Sequence, residues 1–429
     1  MRQRPIARPL ALALLATCAL SAPSAASAAP LGGVNVIGLG PGTSAAKIDG
    51  AIGAARALHA NVVRADVPWS VIEPRAPGSI DPRALGLADR LVSDAAAARI
   101  RVIATVDSTP CWDSSAPAPL LRRCTPARGT QANAWPPRDP AAYGAFVGFL
   151  AQRYGSRLAA IEVWNEPDQA NQDYLAGPEK PQRYAAILRA AYPAIKQANP
   201  GMPVLGGSLV GSNGVFLREL YKAGIKGYYD GLAVHFYTLA LGSLRAIRET
   251  QLANGDNKPL WLDEFGWSSC WPRYRIQQEQ PCVTKRLQGA NLADIFRSLA
   301  RTPYVAAEVA YKLQGSIRED FGVLSASGAR KPAFAPLAQA LAAPLAGRVS
   351  PVILRLRDRA GQVVASGSGP AGDYMGLEAF QGPTLRYRAL FALDRFNRYS
   401  LALPRVLGTH GLRVRVFQYW SGAGAQRGI

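Results

Sequence analysis

The chain has 429 residues, of which 48% are hydrophobic and 18% charged, with a formal net charge of +20. This is a globular composition with ample length for a full core, which excludes a disordered or fibrous chain. The charge is mostly arginine and scattered, with no basic run interleaved with aromatics and no nucleic-acid motif, so a nucleic-acid partner is not expected.

Arg2, Arg4 and Arg8 precede an apolar run from Leu10 to Leu20, and small residues follow, ending SAASAAP. That order is the signature of a secretory signal peptide, expected here over 1–28 with cleavage after Ala26-Ser27-Ala28. The alternative is a retained membrane anchor, for which the apolar run is short. No later segment reads as transmembrane, so no stable membrane insertion is expected after cleavage. Without its three arginines the net charge is +17.

Short apolar runs then alternate with helical patterns. VNVIGLG (34–40) reads as a strand, followed by a helix through KIDGAIGAARALHA. NVVRADVPW (61–69) is the next strand, before a helix over 82–98. RVIATVDS (101–108) is the third, and a proline-rich loop with Cys111 and Cys124 follows it. The helix AAYGAFVGFLAQRYG leads to a strand ending in IEVWNEPD (161–168). Helix RYAAILRAAYPAIKQA leads to PVLGGSLV (203–210), and helix VFLRELYKAG to GLAVHFY (231–237). A helix over 242–253 leads to PLWLDEFGW (259–267), and a loop with Cys270 and Cys282 precedes the helix LQGANLADIFRSLA. YVAAEVAYKLQ (304–314) is the eighth strand and a last helix lies near 334–342.

The strands are near-continuous apolar runs, as expected when both faces are buried. Eight strand–helix units predict an α/β fold, a (β/α)8 TIM barrel over 30–345. A doubly wound sheet is the alternative. It would show a glycine-rich phosphate turn, and GLGPG at 38–42 lacks the later glycine. After 350 the pattern changes to five short β runs: VILRLRD, QVVASGS, LRYRALFAL, YSLALP and LRVRVFQYW. They predict a small C-terminal all-β domain, a β-sandwich over 350–429. It is read either as a polysaccharide-binding module or as a packing appendage. Twelve arginines face four acids between 343 and 429.

Cys18 leaves with the signal, and four cysteines remain. Their spacing suggests two local bridges, Cys111 to Cys124 and Cys270 to Cys282. A zinc site and free thiols are the alternatives. The first lacks a C-x2-C pair or neighbouring histidines, and the second suits the cytoplasm better than an exported chain.

Catalytic groups of such barrels sit at the C-terminal strand ends. The second strand ends near Arg64 and Asp66, the fourth with Asn165-Glu166, the sixth with His235-Phe236-Tyr237 and the seventh with Asp263-Glu264. Two glutamates facing each other across a barrel mouth fit glycosidic bond cleavage. One carboxyl protonates the leaving oxygen while the other attacks or activates water. Glu162 shares the parity of Glu166 but lies deeper, and is read as a structural group inside the barrel. Asp263 has the opposite parity to Glu264 and is expected to face away. His59 and His410 are read as structural.

WNEPD (164–168) and LDEFGW (262–267) resemble the two signature strands of glycoside hydrolase clan A. TPCWD after the third strand, HFY after the sixth and DFGVLSASGARKPAF after the eighth resemble family 39-like and family 5-like members. The likeness runs over about 34–342 and leaves out the C-terminal domain. It implies a retaining β-glycosidase with Glu166 as acid/base and Glu264 as nucleophile, needing no cofactor and no metal. In that frame Arg64 and Tyr237 hydrogen-bond Glu264, His235 lines the pocket of the reacting sugar, and Asn165 binds the sugar 2-OH. Trp112, Trp135, Trp267 and Trp271 lie in loops at the mouth and are either sugar-stacking walls or rim packing. Two departures stand out. Many clan members have tryptophan late in the eighth strand, where this chain offers Tyr311 and Lys312, and Asp263 stands where threonine or serine is common. Lys312 and the basic charge raise the expectation of an anionic poly- or oligosaccharide. A transglycosylase, or a carbohydrate-binding protein on an inactive barrel, are the competing functions. The oligomeric state is left open.

Overall fold

The computed structural model describes residues 30–429 except 37, 41, 127–129, 172, 212, 238–243, 271–281, 317–319 and 373. The expected signal peptide and Trp271 lie outside the described residues.

Eight parallel strands close into a barrel in sequence order: β1 (Leu31–Asn35), β2 (Val62–Asp66), β3 (Arg101–Val106), β4 (Leu158–Val163), β5 (Val204–Leu209), β6 (Gly231–Phe236), β7 (Leu260–Phe265) and β8 (Val305–Ala310). Helices cross from each strand to the next. Several begin where the sequence supplies a cap. Asp81 accepts from the Ala84 N–H at 2.9 Å ahead of Pro82, Asp139 from the Ala141 N–H at 2.9 Å ahead of Pro140, and Thr284 from the Leu287 N–H at 3.1 Å. β1 begins three residues before the expected strand. Gly32-Gly33 reads as a breaker, but a Cβ at Gly33 would collide with the Val62 carbonyl, so glycine lets β2 approach.

Apolar side chains including Val62, Ile103, Leu205, Ala233, Trp261 and Val309 plug the barrel's interior, and a larger cluster fills the layer between strands and helices. Glu308 is the exception. It is 1% exposed, and neither carboxylate oxygen has a hydrogen-bond partner. Its neighbour on β1 is Gly32, whose open side faces Leu341 and Phe296. Burial alone pushes this carboxyl well above its ordinary 4.5. A group raised in this way costs nothing below pH 4.5, and stability declines as pH rises from there through the folded-state pKa. Glu308→Gln is neutral at every pH. It is expected to melt with the parent at pH 5 but about 2–4 °C above it at pH 8, roughly the shift that 1 kcal/mol gives in a chain of this kind. Thermal melts at the two pH values check this, and an equal shift at both would remove the titration argument.

The C-terminal region forms two antiparallel sheets from β9 (Ile353–Arg359), β10 (Gln362–Ser368), β11 (Met375–Gln381), β12 (Thr384–Phe391), β13 (Arg398–Ala402), β14 (Leu412–Gln418) and β15 (Gly424–Gly428). Their orders are β13-β10-β9 and β12-β11-β14-β15. Two of these strands exceed the five expected runs. β11 escapes a sequence reading because Gly376 interrupts its apolar pattern, yet the Phe417 ring occupies the space where a Cβ would stand. β15 is glycine-rich and exposed. The sheets enclose their own core, including Met375, Leu377, Val414 and Val416. Trp420 instead joins the barrel's apolar cluster, its ring 5.6 Å from Phe236 on β6. Asn397 donates to Asn291 at 2.8 Å, and Arg245 stacks 4.7 Å from the Tyr419 ring.

Cys111–Cys124 and Cys270–Cys282 are both bonded, with Cα separations of 5.7 and 5.0 Å. Loops of this size contribute about 3 kcal/mol each in the chain-entropy view.

Candidate active site

A polar layer lies above the apolar plug. Arg64 on β2 is its hub. Its Nε and Nη2 donate to the two oxygens of Glu162 on β4 at 2.9 and 2.7 Å, a forked pair of the kind arginine is built for. Nη2 also donates to Asn165 Oδ1 at 2.7 Å, and Nη1 to Asn35 Oδ1 at 3.1 Å. Thr105 and Ser208 donate to Glu162 as well. Burial works to raise the Glu162 pKa, but the Arg64 charge and hydrogen bonds outweigh it and hold it at about 2. Glu162 is thus the barrel-interior group expected of it. Arg64 pairs with it, and approaches Glu264 only as a charge, at 3.9 Å. The expected hydrogen bond from Arg64 to Glu264 is not made, because the fork on Glu162 and the bonds to Asn35 and Asn165 hold the guanidinium with Nη1 3.9 Å from that carboxylate.

Asp263 does not face away. It is fully buried in this layer, 3.3 Å from Arg64 Nε, with its second oxygen 3.9 Å from His235 Nε2. The β6–β7 register shifts between Ala233 and His235, and the β7–β8 register between Leu262 and Phe265. Those irregularities break strict alternation and turn both Asp263 and Glu264 inward. Burial and the neighbouring Glu162 raise the Asp263 pKa well above its ordinary value, against the pull of Arg64 and His235.

The next layer outward holds the two glutamates. His235 Nδ1 lies 2.6 Å from Glu166 Oε1 and 2.8 Å from Glu264 Oε2, and these three atoms all lie within 4.8 Å of one another. His235 therefore does more than line a pocket: one ring nitrogen spans both carboxylates. Burial disfavours the imidazolium, but Glu264 and Glu166 raise its pKa well above the ordinary value. Burial likewise works to raise Glu264, and His235, Arg64 and the Tyr237 hydroxyl together hold it below the usual carboxylate range. Tyr237, raised by burial and by the Glu264 charge, stays a phenol and donates to that carboxylate.

Glu166 leaves β4 on a constrained backbone. Trp164 and Glu166 have φ of 71° and 44°, left-handed values that cost side-chain-bearing residues about 1–3 kcal/mol each. Asp168, two residues on, fixes the turn by accepting from the Val210 and Gly211 N–H groups at 3.0 and 2.7 Å. Gln169 Nε2 donates to Glu166 Oε2 at 2.6 Å. Neither Asp168 nor Gln169 is singled out by sequence, since each is an ordinary loop residue until the turn is folded. Asn35 and Ser208 were legible in principle, as polar residues at the ends of apolar runs.

Glu264 opens onto a cleft of ≈ 620 Å³, inside the range of small-molecule sites. Arg64, Asn165, Tyr311 and Lys312 line it, as do Tyr174 and Asn133, which the sequence did not flag. Asp66, Asp107 and Asp173 also line it. Lys312 Nζ sits 3.5 Å from the Tyr311 hydroxyl and 5.0 Å from its ring. Tyr311, Tyr237 and Phe321 form an edge-on aromatic group, with centroids 5.6–6.2 Å apart. The tryptophans take packing positions. Trp112 meets Trp69 edge-on at 5.5 Å and donates to the Glu73 carbonyl at 3.0 Å. Trp267 is 4% exposed, in the outer core. Trp135 covers Gly177, with Arg183 5.9 Å from its ring. None of these three is among the cleft-lining residues.

Among the described residues two triads have metal-compatible spacing, Glu162–His235–Asp263 and Glu166–His235–Glu264. The first already surrounds the Arg64 guanidinium. In the second, the two carboxylates raise the His235 pKa and so favour its imidazolium, a cation already between them.

No protein-family model matches the chain, and no curated protein matches it. Among solved structures it is similar to a family 39 glycoside hydrolase from the gut symbiont Bacteroides cellulosilyticus WH2, at 19% identity over 88% of this chain and 79% of that one, with TM-score 0.54. It is similar to the GH39 enzyme from Xanthomonas axonopodis pv. citri, at 17% identity over 87% and 91% of the two chains, with TM-score 0.54. A monomeric beta-xylosidase from Caulobacter crescentus CB15 is a third, at 13% identity over 88% and 95%, with TM-score 0.52. What the chain shares with these glycoside hydrolases, at such identities, is their fold.

Proposed function

We propose that the chain is a retaining β-glycoside hydrolase, with Glu264 as nucleophile and Glu166 as acid/base. The observation that carries this reading is the pair of carboxylates gathered on His235 Nδ1, one oxygen of each at 2.6 and 2.8 Å from it. Carboxyl groups about 5–5.5 Å apart suit double displacement, whereas inversion needs about 6.5–9.5 Å to admit a water. Glu264, held anionic, attacks the anomeric carbon while Glu166 delivers its proton to the departing oxygen. In the second half, Glu166 takes a proton from water, the water oxygen bonds to the anomeric carbon, and Glu264 leaves. The Nδ1 proton follows the negative charge, from Glu264 in the resting site to Glu166 once Glu264 is esterified. Asn165, its Oδ1 held by Arg64, turns its amide toward the cleft for a sugar hydroxyl.

The substrate is an uncharged glycan. The carboxylates lining the cleft, Asp66, Asp107, Asp173 and Glu264, outnumber its cations, Arg64 and Lys312, which disfavours an anionic sugar. The two disulfides suit a compartment outside the cytoplasm. The test is trapping. A panel of activated 2-deoxy-2-fluoro β-glycosides, the xylosyl probe first because one similar structure is a β-xylosidase, is expected to add one glycosyl unit to the peptide bearing Glu264. Absence of any adduct, together with no hydrolysis across a panel of neutral glycans, would leave a binding protein on an inactive barrel.

A further inference from the structure

The outward face of β9 carries Arg355, Arg357 and Arg359, alternating with Leu354 and Leu356, which turn inward. Residues two apart on a strand stand about 7 Å apart on one face, so three guanidiniums form a line of roughly 14 Å. All three are exposed. Their neighbours on β10 are Ser366, Val364 and Gln362, and the next strand adds Ser400 and Ala402. None of these is a carboxylate. Asp358 has the opposite parity and is occupied at the turn, accepting from the Gly361 N–H at 2.8 Å. Arg405 extends the line by donating to the Ala360 carbonyl at 3.0 Å.

The other sheet shows what the same fold does with arginines it neutralises. There Glu378 stands between Arg388 and Arg415, at 2.9 and 3.6 Å. Like charges in a row repel, and sheets relieve them with opposite charges across the strands. Among the described residues the β9 face has no such relief. Guarding an edge strand needs a single charge, and three in line on its broad face exceed that.

We propose that the outer face of the β13-β10-β9 sheet, centred on Arg355, Arg357 and Arg359, docks an anionic polysaccharide and holds the chain on a polyanionic matrix while the barrel cleft works on an uncharged glycan. The face is flat and linear, which suits an extended polymer carrying one carboxylate or sulfate per sugar. Ser366 and Ser400 beside the row offer hydrogen bonds to sugar hydroxyls. Along its three strands the face presents none of the aromatic platforms on which single-stranded nucleic acid stacks, and Ile353, the exposed aliphatic at the start of the arginine row, falls short of the apolar face with which a surface enters a membrane. The docking surface does not depend on the reading of the barrel site, because neither Glu166 nor Glu264 takes part in it.

The test is affinity electrophoresis of the full chain through gels containing alginate, a polyuronate, or neutral dextran, at 50 and 300 mM salt. Glu264→Gln serves as the background so that turnover does not enter. Alginate is expected to retard the chain at low salt, and dextran is not. Arg355→Gln/Arg357→Gln/Arg359→Gln is expected to weaken the alginate interaction at least tenfold and flatten its salt dependence, since screening acts on fewer pairs. Arg56→Gln/Arg122→Gln/Arg123→Gln removes the same charge from exposed barrel positions and is expected to change it less than twofold. Equal losses in both triple variants would reduce the effect to net charge and overturn the proposal. So would no retardation by alginate, or tighter binding to duplex DNA or phosphatidylserine vesicles than to alginate.

Discussion

Glu264→Gln is expected to lower kcat by about 10⁴–10⁶-fold, the range in which removing a nucleophile that works with its partners typically falls, while leaving glycan affinity within a few-fold. Glutamine fits the space that the carboxylate fills and still accepts from Tyr237 and His235, but its amide does not form a glycosyl ester. Glu166→Ala behaves differently. For an aryl glycoside with a good leaving group, departure needs little protonation, so the loss concentrates in the second step, at about 10²–10⁴-fold. Removing that side chain also opens space on the face from which water approaches, between His235 and Gln169. Azide needs no general base and is expected to restore rate in Glu166→Ala, giving a β-glycosyl azide, but not in Glu264→Gln. Steady-state kinetics with and without azide, and NMR of the product, read out both roles. Azide rescue of the Glu264 variant, or an α-configured product, would reverse the assignment.

How far the sequence leads depends on how local each feature is. The barrel is legible because eight buried parallel strands must be apolar on both faces, and that leaves repeated runs between helical patterns. The two glutamates are legible because strand ends point into the mouth, and β4 and β7 face each other across it. Asp263 is misplaced by strict alternation, since a register shift between strands leaves no mark on the strand's own letters. The partner of Arg64 escapes for a related reason: Glu162 lies 98 residues away in sequence but close by in the closed barrel, and it takes the bond expected to go to Glu264. Gln169 and Asp168 act through a left-handed turn that only the folded chain reveals. The tryptophans mislead because a loop indole is as useful for packing as for stacking on a sugar, and burial is what separates the two.

Arg64→Met is expected to be the most destabilising single change in the barrel, by about 3–5 kcal/mol at pH 7, because it leaves Glu162 as a buried charge without its partner. Methionine keeps most of the volume, so the loss is electrostatic rather than a cavity. The pH dependence distinguishes this from simple misfolding. In the parent, Glu162 has its pKa depressed from 4.5 to about 2. Its contribution is therefore fully present above pH 4.5 and is lost as pH falls from 4.5 toward 2. In the variant, burial acts on Glu162 unopposed and pushes its pKa up, so acidification from pH 7 stabilises that chain. The gap between parent and variant is expected to be largest at pH 7 and to narrow steadily toward pH 4. Glu162→Gln in the Arg64→Met background is expected to recover much of the loss at pH 7, since it removes the stranded charge. Activity does not return with it. Asn165 has lost the donor that orients its amide, and Glu264 the cation 3.9 Å away, so kcat stays depressed in a chain whose stability is restored. Denaturant unfolding of the three chains at pH 4, 5.5 and 7, beside their kcat values, separates the two roles of Arg64. A gap independent of pH would mean that Arg64 supports the barrel by packing and not by holding the Glu162 charge.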